Sequence, residues 1–318
     1  MVFRRFRVRN IGLRCGFARS DVHPSERCTL WQATGRTAAG SNRSNRRRMH
    51  THGHHHEPLP PPTTSATEAY LASVVEALGD TPETVIALQF LRDGACEVLC
   101  VGDPADLEGI VIQAIAIPEE PLAFGSSAEA IASLIPHLTG WTCVNVPSNL
   151  ADDLIEPVAT AANASSMRLM DDVYHALYRQ PPAIPKRGAR LLTAADRELV
   201  DQMPPDMIGD GSERLLATLD AGHVAGAIRD GALVSLAYTF ATSELHADIG
   251  VVTHPEWRGQ GLATSVASLV AKAIRRDSRI PVWSCGGSNI ASLRIAARLG
   301  FEEVSRRTYL IPDFDDAP

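Results

Sequence analysis

Apolar and polar positions divide residues 65–185 into alternating helical and extended segments. Apolar residues recur at helical spacing over about 66–79, where Tyr70, Leu71, Val74, Val75 and Leu78 share one face. Apolar runs predict strands at 97–101, 110–117, 142–146 and 172–178, and helices are predicted over about 127–138 and 149–163. The pattern therefore predicts a compact α/β domain over residues 64–182, in which we identify no motif that carries chemistry.

A proline-rich segment, QPPAIPKRG at 180–188, separates this unit from a second one. Its three prolines favour extended backbone and supply few donors to a sheet, so it is typical of a domain boundary. The second domain, 186–318, is predicted to begin with a strand at 189–192, a helix from Thr193 to about Met203 and a helix near 212–219. Strands follow at about 223–228 and 232–240.

Residues 1–63 differ in composition from the rest of the chain. They contain twelve Arg, no Lys and three acidic residues, and a Pro, Ser and His-rich stretch ends the segment. Such a composition cannot bury enough apolar surface to offset chain entropy, so we expect a disordered tail. Two other readings remain, a true start at Met49 and an organelle-targeting segment, although the acids and the missing apolar face disfavour the latter. The five histidines between 50 and 56 are low-complexity sequence, and no metal site is expected.

Composition excludes several classes of function. No run of eighteen apolar residues occurs, which disfavours a membrane span. The chain carries a net charge of -7, and the part after the basic tail is strongly acidic, which disfavours nucleic-acid binding. Six scattered cysteines without a CxxC pair indicate a reducing compartment, and we expect a cytoplasmic protein.

The segment 246–276, HADIGVVTHPEWRGQGLATSVASLVAKAIRR, reads as strand, turn and long helix. Gly259 and Gly261 let main-chain N–H groups point at one spot without a Cβ in the way. A helix from about Leu262 adds its unpaired first-turn N–H groups and the positive end of its dipole. Together with Arg258, this order predicts a cradle for a diphosphate.

Two other interpretations of the glycine pair are weaker. A tight turn explains a lone GxG, but not the strand at 281–284 and the helix NIASLRIAARLGF at 289–301 that follow. A dinucleotide-binding motif would need Gly or Ala where Thr264 stands, and an acid about 20 residues later where Ser284 and Cys285 stand.

RGQGLA at 258–263, THPEWR at 253–258 and the helix ending in Gly-Phe at 289–301 resemble the GCN5-related N-acetyltransferase (GNAT) superfamily, whose pyrophosphate signature is R/Q-x-x-G-x-G/A. The resemblance covers about 189–312 and is nearest to the FR47-like subgroup. It implies a mixed, mostly antiparallel sheet flanked by helices, with acetyl-CoA as co-substrate. The N-terminal α/β domain is then a possible degenerate copy of the same fold, which would shape the acceptor cleft.

The resemblance also implies a set of cofactor-binding residues. Main-chain groups of Val251 or Val252 would bind the thioester carbonyl, and Asn289 and Ser292 would contact pantetheine or adenosine phosphate, although helix N-capping is an equal explanation for Asn289. The pyrophosphate would be held by Arg258, Gly259, Gln260, Gly261, Leu262, Ala263 and Thr264.

For the catalytic groups, the resemblance points to Asp248 as general base, with His246 on the same strand face as second candidate. A solvent-exposed strand face is the competing explanation for both. The helix at 289–301 has Ile295, Ala296 and Ala297 where relatives carry a Tyr acid, which leaves Tyr309 as a candidate acid, or as a packing residue.

The predicted function is an N-acetyltransferase that transfers the acetyl group of acetyl-CoA to a primary amine of a small-molecule or amino-acid-like acceptor. A non-catalytic acyl-CoA sensor or partner-binding module and a protein N-acetyltransferase remain as alternatives.

Overall fold

The computed structural model describes residues 3–9, 64–103, 105–204, 207, 212–221 and 223–314. The predicted tail at 1–63 lies outside these residues, apart from Phe3–Arg9, which forms a strand. The strands are β1 Phe3–Arg9, β2 Ala95–Val101, β3 Gly109–Ala114, β4 Leu122–Phe124, β5 Val144–Pro147, β6 Ser166–Ala176, β7 Ala189–Leu191, β8 Val224–Arg229, β9 Ala232–Thr242, β10 His246–Thr253, β11 Ile280–Gly286 and β12 Glu302–Asp313. The helices are α1 Thr64–Leu78, α2 Val85–Asp93, α3 Ala128–Leu134, α4 Ala151–Ala162, α5 Arg197–Asp201, α6 Ser212–Ala221, α7 Leu262–Arg276 and α8 Ile290–Leu299.

Across the described residues, the strands form one twelve-stranded sheet in the order β1-β2-β3-β4-β5-β12-β6-β11-β10-β9-β8-β7. The order is symmetric about the β6/β12 pair, which is antiparallel. In each half, one pair of strands is parallel, β4 with β5 and β10 with β11. The last strand of each half has crossed into the other: β12 lies between β5 and β6, and β6 lies between β11 and β12. The two predicted units therefore share one sheet and complete each other, and their matching order has the form of a duplicated fold.

Helix α7 covers one face of the C-terminal half. Its apolar residues at spacings of three and four, such as Leu262, Val266, Val270 and Ile274, are buried against the sheet. Trp283 of β11 and Phe301 after α8 join the same core, with their ring centroids 5.7 Å apart. This packing fixes the position and direction of the N-terminus of α7 relative to β10.

The opposite face of β9 and β10 is covered by α2, an element of the N-terminal half. Gln89 Oε1 accepts a hydrogen bond from the main-chain N–H of Thr242 at 2.9 Å, and Arg92 donates to the carbonyl oxygen of Thr242 at 2.6 Å. Val85 packs with Tyr174 and Phe240 under this helix. The N-terminal half therefore forms part of the wall around the C-terminal strands.

Most predicted elements of the α/β pattern are present. Three were missed: α2, the three-residue β4 and β1. The predicted strand 172–178 begins earlier, at Ser166. Its first half is exposed or half-buried and mixes apolar with polar residues, so it lacks the continuous buried run that identified the second half. The helix predicted from Thr193 is split into a 3-10 turn at Ala194–Asp196, which begins with a capping box at Thr193, and the short α5.

Candidate functional site

Strands β10 and β11 separate partway along their length. They pair in parallel only from His246 with Ile280 to Asp248 with Val282. Beyond this point β10 continues along β9 to Thr253, while β11 continues along β6 to Gly286. The sheet therefore opens into a V-shaped split whose vertex lies at Asp248. Next to the vertex, the β9/β10 register shifts between Asp248 and Ile249.

The loop before α7 lies at the end of β10. Gly259 and Gly261 have φ of 76° and 74°, the left-handed conformation that glycine adopts without a Cβ penalty. Gly261 is the N-cap residue of α7, so no N-cap side chain accepts hydrogen bonds from the first-turn N–H groups. Within the described part of the chain, the main-chain N–H groups of 259–264 have no hydrogen-bond partner. This is the geometry of an anion site at a helix N-terminus.

The side chains of this loop divide into two groups. Arg258, Gly259 and Gln260 are exposed, and Arg258 Nε donates to the carbonyl oxygen of Thr253 at 3.2 Å. Gly261 and Ala263 are half-buried. Leu262 and Thr264 are buried in the helix packing, so only their main-chain N–H groups are available to a ligand.

The main-chain groups of Val251 and Val252 point to opposite sides of β10. The Val252 carbonyl oxygen accepts a hydrogen bond from Ser235 Oγ of β9, and the His254 N–H donates to Val234, also on β9. Main-chain groups alternate in direction along an extended strand, so Val252 and His254 face β9 and Val251 faces the split. Val251 is therefore the one of the two whose N–H is directed into the opening.

Asp248 is 4% exposed, at the vertex of the split. Its carboxylate accepts a hydrogen bond from Ser284 Oγ at 3.4 Å and from the main-chain N–H groups of Ile249 and Ser284. Burial, and next the nearby Asp172 carboxylate, raise the pKa of Asp248 from 3.8 to about 7. A carboxyl group with this pKa can exchange a proton near neutral pH. The expectation of a solvent-exposed face is wrong for Asp248.

His246 is also buried, and it is paired. Its Nδ1 lies 2.7 Å from Asp80 Oδ1, and the same carboxylate accepts from Ser243 Oγ and from the Leu245 N–H. Although burial opposes it, these hydrogen bonds lower the pKa of Asp80. His246 thus joins the N-terminal half to the β9/β10 hairpin, and this position does not support a role as base.

Tyr309 is not at the split. It lies on β12 opposite Asn145 and Met170, and its hydroxyl donates to Glu120. Strands β6 and β11 separate it from β10, a distance of about 14 Å at the usual spacing of strands. Burial and the Asp172 and Glu120 carboxylates raise its pKa well above 10. The candidate acid is therefore misplaced for the split, and its contacts are those of a packing residue.

Asn289 and Ser292 have structural partners at the start of α8. Asn289 Oδ1 accepts from the Ser292 N–H at 3.1 Å, which is N-capping, and Ser292 Oγ accepts from Trp283 Nε1 at 2.9 Å. Ser292 is 6% exposed. The capping explanation for Asn289 is confirmed, and contacts of these two residues with a ligand stay a prediction.

Sequence reasoning missed Arg187 and Ser284. Arg187 Nε lies 3.2 Å from an ideal Cβ built on Gly261, so its side chain crosses the loop before α7. Its basic pair with Lys186 at the end of the proline-rich segment was a signal that could have identified it. Ser284 had no such signal, since only strand pairing brings it beside Asp248.

The corresponding place in the N-terminal half is closed. After β4, the Ser126 and Ser127 N–H groups donate to Leu107 and Glu108, and a Cβ on Gly125 would lie 2.4 Å from the Glu108 carbonyl oxygen. Between β4 and β5, the buried Arg307 donates to the carbonyl oxygens of Ala123 and Asn145. The main-chain N–H groups after β4 and the space between β4 and β5, which would form a second anion site, are thus occupied by protein contacts.

Two kinds of feature are absent from the described residues. No helix there is long and apolar enough to cross a membrane. No group of three or more His, Cys, Asp or Glu side chains there could hold a metal ion.

Comparison with known proteins relates these features to a family. A model of the GNAT acetyltransferase family matches residues 220–310. The uncharacterized N-acetyltransferase YdfB of Bacillus subtilis (strain 168) is 36% identical over 62 residues, which are 20% of this chain and 24% of that protein. The chain thus matches about a quarter of the length of this relative.

Two solved structures share the architecture across both halves. A GCN5-related N-acetyltransferase-like protein from Streptococcus suis 89/1591 aligns with 77% of this chain and 99% of its own, with a TM-score of 0.56 and 18% identity. A GNAT-family acetyltransferase from Colwellia psychrerythraea aligns with 79% and 95%, with a TM-score of 0.52 and 13% identity. At such identities the likeness shows the fold, and the family model covers the loop and split described above. Residues 220–310 are thus similar to the GNAT acetyltransferase family, and the two halves together share the fold of these GNAT-family structures.

Proposed function

We propose that the protein transfers the acetyl group of acetyl-CoA to the primary amine of a small-molecule or amino-acid-like acceptor. One observation carries the proposal. The unpartnered N–H groups of 259–264 follow the end of β10, and Asp248 of the same strand places its buried carboxyl, with a pKa of about 7, at the vertex of the split. This arrangement supports diphosphate binding and proton transfer along one strand.

The donor would be held by main-chain groups. The N–H groups of the loop and the first turn of α7 suit a diphosphate, because they need no side-chain rearrangement and act with the helix dipole. The pantetheine arm would run along the split, where the edge of β10 that faces β11 has no strand partner. The Val251 N–H faces this opening and would stabilise the oxyanion that forms when the amine attacks the thioester.

Asp248 would act as the general base. The amine nitrogen forms a bond to the thioester carbon, the C–S bond breaks, and the proton lost by the amine passes to the Asp248 carboxylate. A pKa of about 7 suits this transfer near neutral pH. The thiolate, with an ordinary pKa of about 8.5, is a tolerable leaving group, so the chemistry does not require Tyr309.

A non-catalytic acyl-CoA sensor is the second candidate, because Asp248 is only 4% exposed and α8 carries no Tyr. Thiol release from acetyl-CoA across a panel of amines, amino acids and lysine peptides tests both functions. We expect release with a small amine and its loss in Asp248→Asn. Tight acetyl-CoA binding without release on any acceptor would favour the sensor, and release with peptides alone would favour a protein acetyltransferase.

A further inference from the structure

We propose that Arg187, in the segment that joins the two halves, binds the diphosphate of coenzyme A and is a determinant of donor affinity. The inference rests on the proposed function, since it adds a side chain to the same donor site. Arg187 lies outside the 220–310 region that the family model matches, and it precedes β7.

The position of the side chain is the first argument. Arg187 Nε, Cδ and Cζ lie 3.2, 3.6 and 3.7 Å from an ideal Cβ on Gly261. Gly261 is the N-cap of α7, so the guanidinium crosses the helix terminus at the place where the N–H groups of 259–264 are unpartnered. An anion bound to those amides would lie within reach of this side chain.

The segment that carries Arg187 is held in place. Ser265 Oγ of α7 donates to the Pro185 carbonyl oxygen at 2.8 Å, and Arg229 donates to the Arg187 carbonyl oxygen at 2.7 Å. Arg229 in turn lies over the Trp257 ring at 6.0 Å. Contacts on both sides of Arg187 therefore fix its main chain against the loop and α7.

The main chain of Arg187 is strained. Its φ is +48°, a left-handed conformation that costs a non-glycine residue about 1–2 kcal/mol. Gly188 follows with φ of +75°. Strained backbone conformations of this kind cluster at ligand-binding sites, and Arg187 lies beside the loop that precedes α7.

The charge of Arg187 is available to a ligand. The side chain is exposed, and within the described residues its guanidinium has no carboxylate partner. Guanidinium groups bind phosphate oxygens through two parallel N–H donors, which makes them suited to a diphosphate. Arg187 would thus add a charged, directional contact to a site otherwise built from main-chain amides.

Calorimetric titration of coenzyme A and of 3′-dephospho-coenzyme A into the full chain tests the inference. Arg187→Ala should raise the dissociation constant of both ligands roughly tenfold or more, as loss of a charge-assisted hydrogen bond would, and Arg187→Lys should recover part of the affinity. Lys186→Ala is the matched control, because it removes an adjacent exposed cation and should leave both constants within twofold. Thermal unfolding checks that each variant remains folded.

Three results would overturn the inference: unchanged affinity in Arg187→Ala, an equal loss in Lys186→Ala, or a loss limited to coenzyme A, which would assign Arg187 to the 3′-phosphate. If the wild-type chain binds neither ligand, the proposed function fails as well. If the wild type binds and Arg187→Ala binds equally well, the inference fails and the proposed function stands.

Discussion

Replacing Asp248 by Asn should make the protein more stable and the enzyme slower. Asn keeps the size of the side chain and removes its charge. In the folded state burial holds the pKa of the Asp248 carboxyl at about 7, against 3.8 for the free side chain. Between these two pH values the folded state binds a proton that the unfolded state has lost. The free energy of unfolding therefore falls as pH rises through this window.

The size of the effect follows from the two pKa values. A difference of about three pKa units corresponds to about 4 kcal/mol, reached once the pH exceeds 7. Because Asp248 is 4% exposed, solvent screening removes little of this penalty. At pH 8 Asp248→Asn should then raise the free energy of unfolding by several kcal/mol, while at pH 4 the two proteins should unfold alike. Loss of a general base should lower kcat by about 10²- to 10⁴-fold.

Urea unfolding of both proteins from pH 4 to pH 8, together with kcat over the same range, measures the two effects. Glu302→Gln is the control, since it makes the same chemical change at an exposed position of β12. Equal stability of wild type and Asp248→Asn at pH 8 would refute the conclusion that burial raises the pKa of Asp248. A kcat profile that keeps its acidic limb in Asp248→Asn would refute its role as base.

Other consequences can be measured on the same protein. Gly261→Asp should abolish acetyl-CoA binding in calorimetry because it brings a carboxylate to the phosphate site, while Gly231→Asp, at a turn glycine with φ of +82° and open surroundings, should not. Wild-type chain should bind one acetyl-CoA, and a stoichiometry of two would contradict the closed N-terminal site. Arg307→Met should lower the free energy of unfolding by about 3–5 kcal/mol, because it leaves buried partners uncompensated, and a loss below 1 kcal/mol in urea would contradict this. Asp80→Asn should cost about 2 kcal/mol through its contacts with His246 and the hairpin, with kcat nearly unchanged; a large fall in kcat at full stability would return His246 to the list of catalytic groups.

The loop before α7 was predictable because its conformation depends on neighbouring residues in the chain. Glycines at 259 and 261, an Arg before them and a helix after them are contiguous, and main-chain geometry follows from residue type within such a short segment. The long helices and the longer strands were predictable for a similar reason, since each needs one apolar period over its own length.

Elements without such a local signal were missed. Strand β4 has three residues, too few to establish a period. The turn before α2 makes its contacts with the β9/β10 hairpin of the other half, through Asp80. Burial of Asp248 and His246 was missed for the same reason: α2 and Asp80, more than 150 positions away in sequence, cover that face.

The sequence by itself indicated the resemblance to the GNAT family, the mixed α/β class and the loop that would bind a diphosphate, because each depends on residues close together in the chain. The tertiary structure alone decided that the two halves exchange strands, that the split opens at Asp248, that Tyr309 lies about three strands away from it, and that Arg187 crosses the N-terminus of α7. These features depend on pairings between distant segments, and the apolar pattern of a strand does not identify the strand with which it pairs.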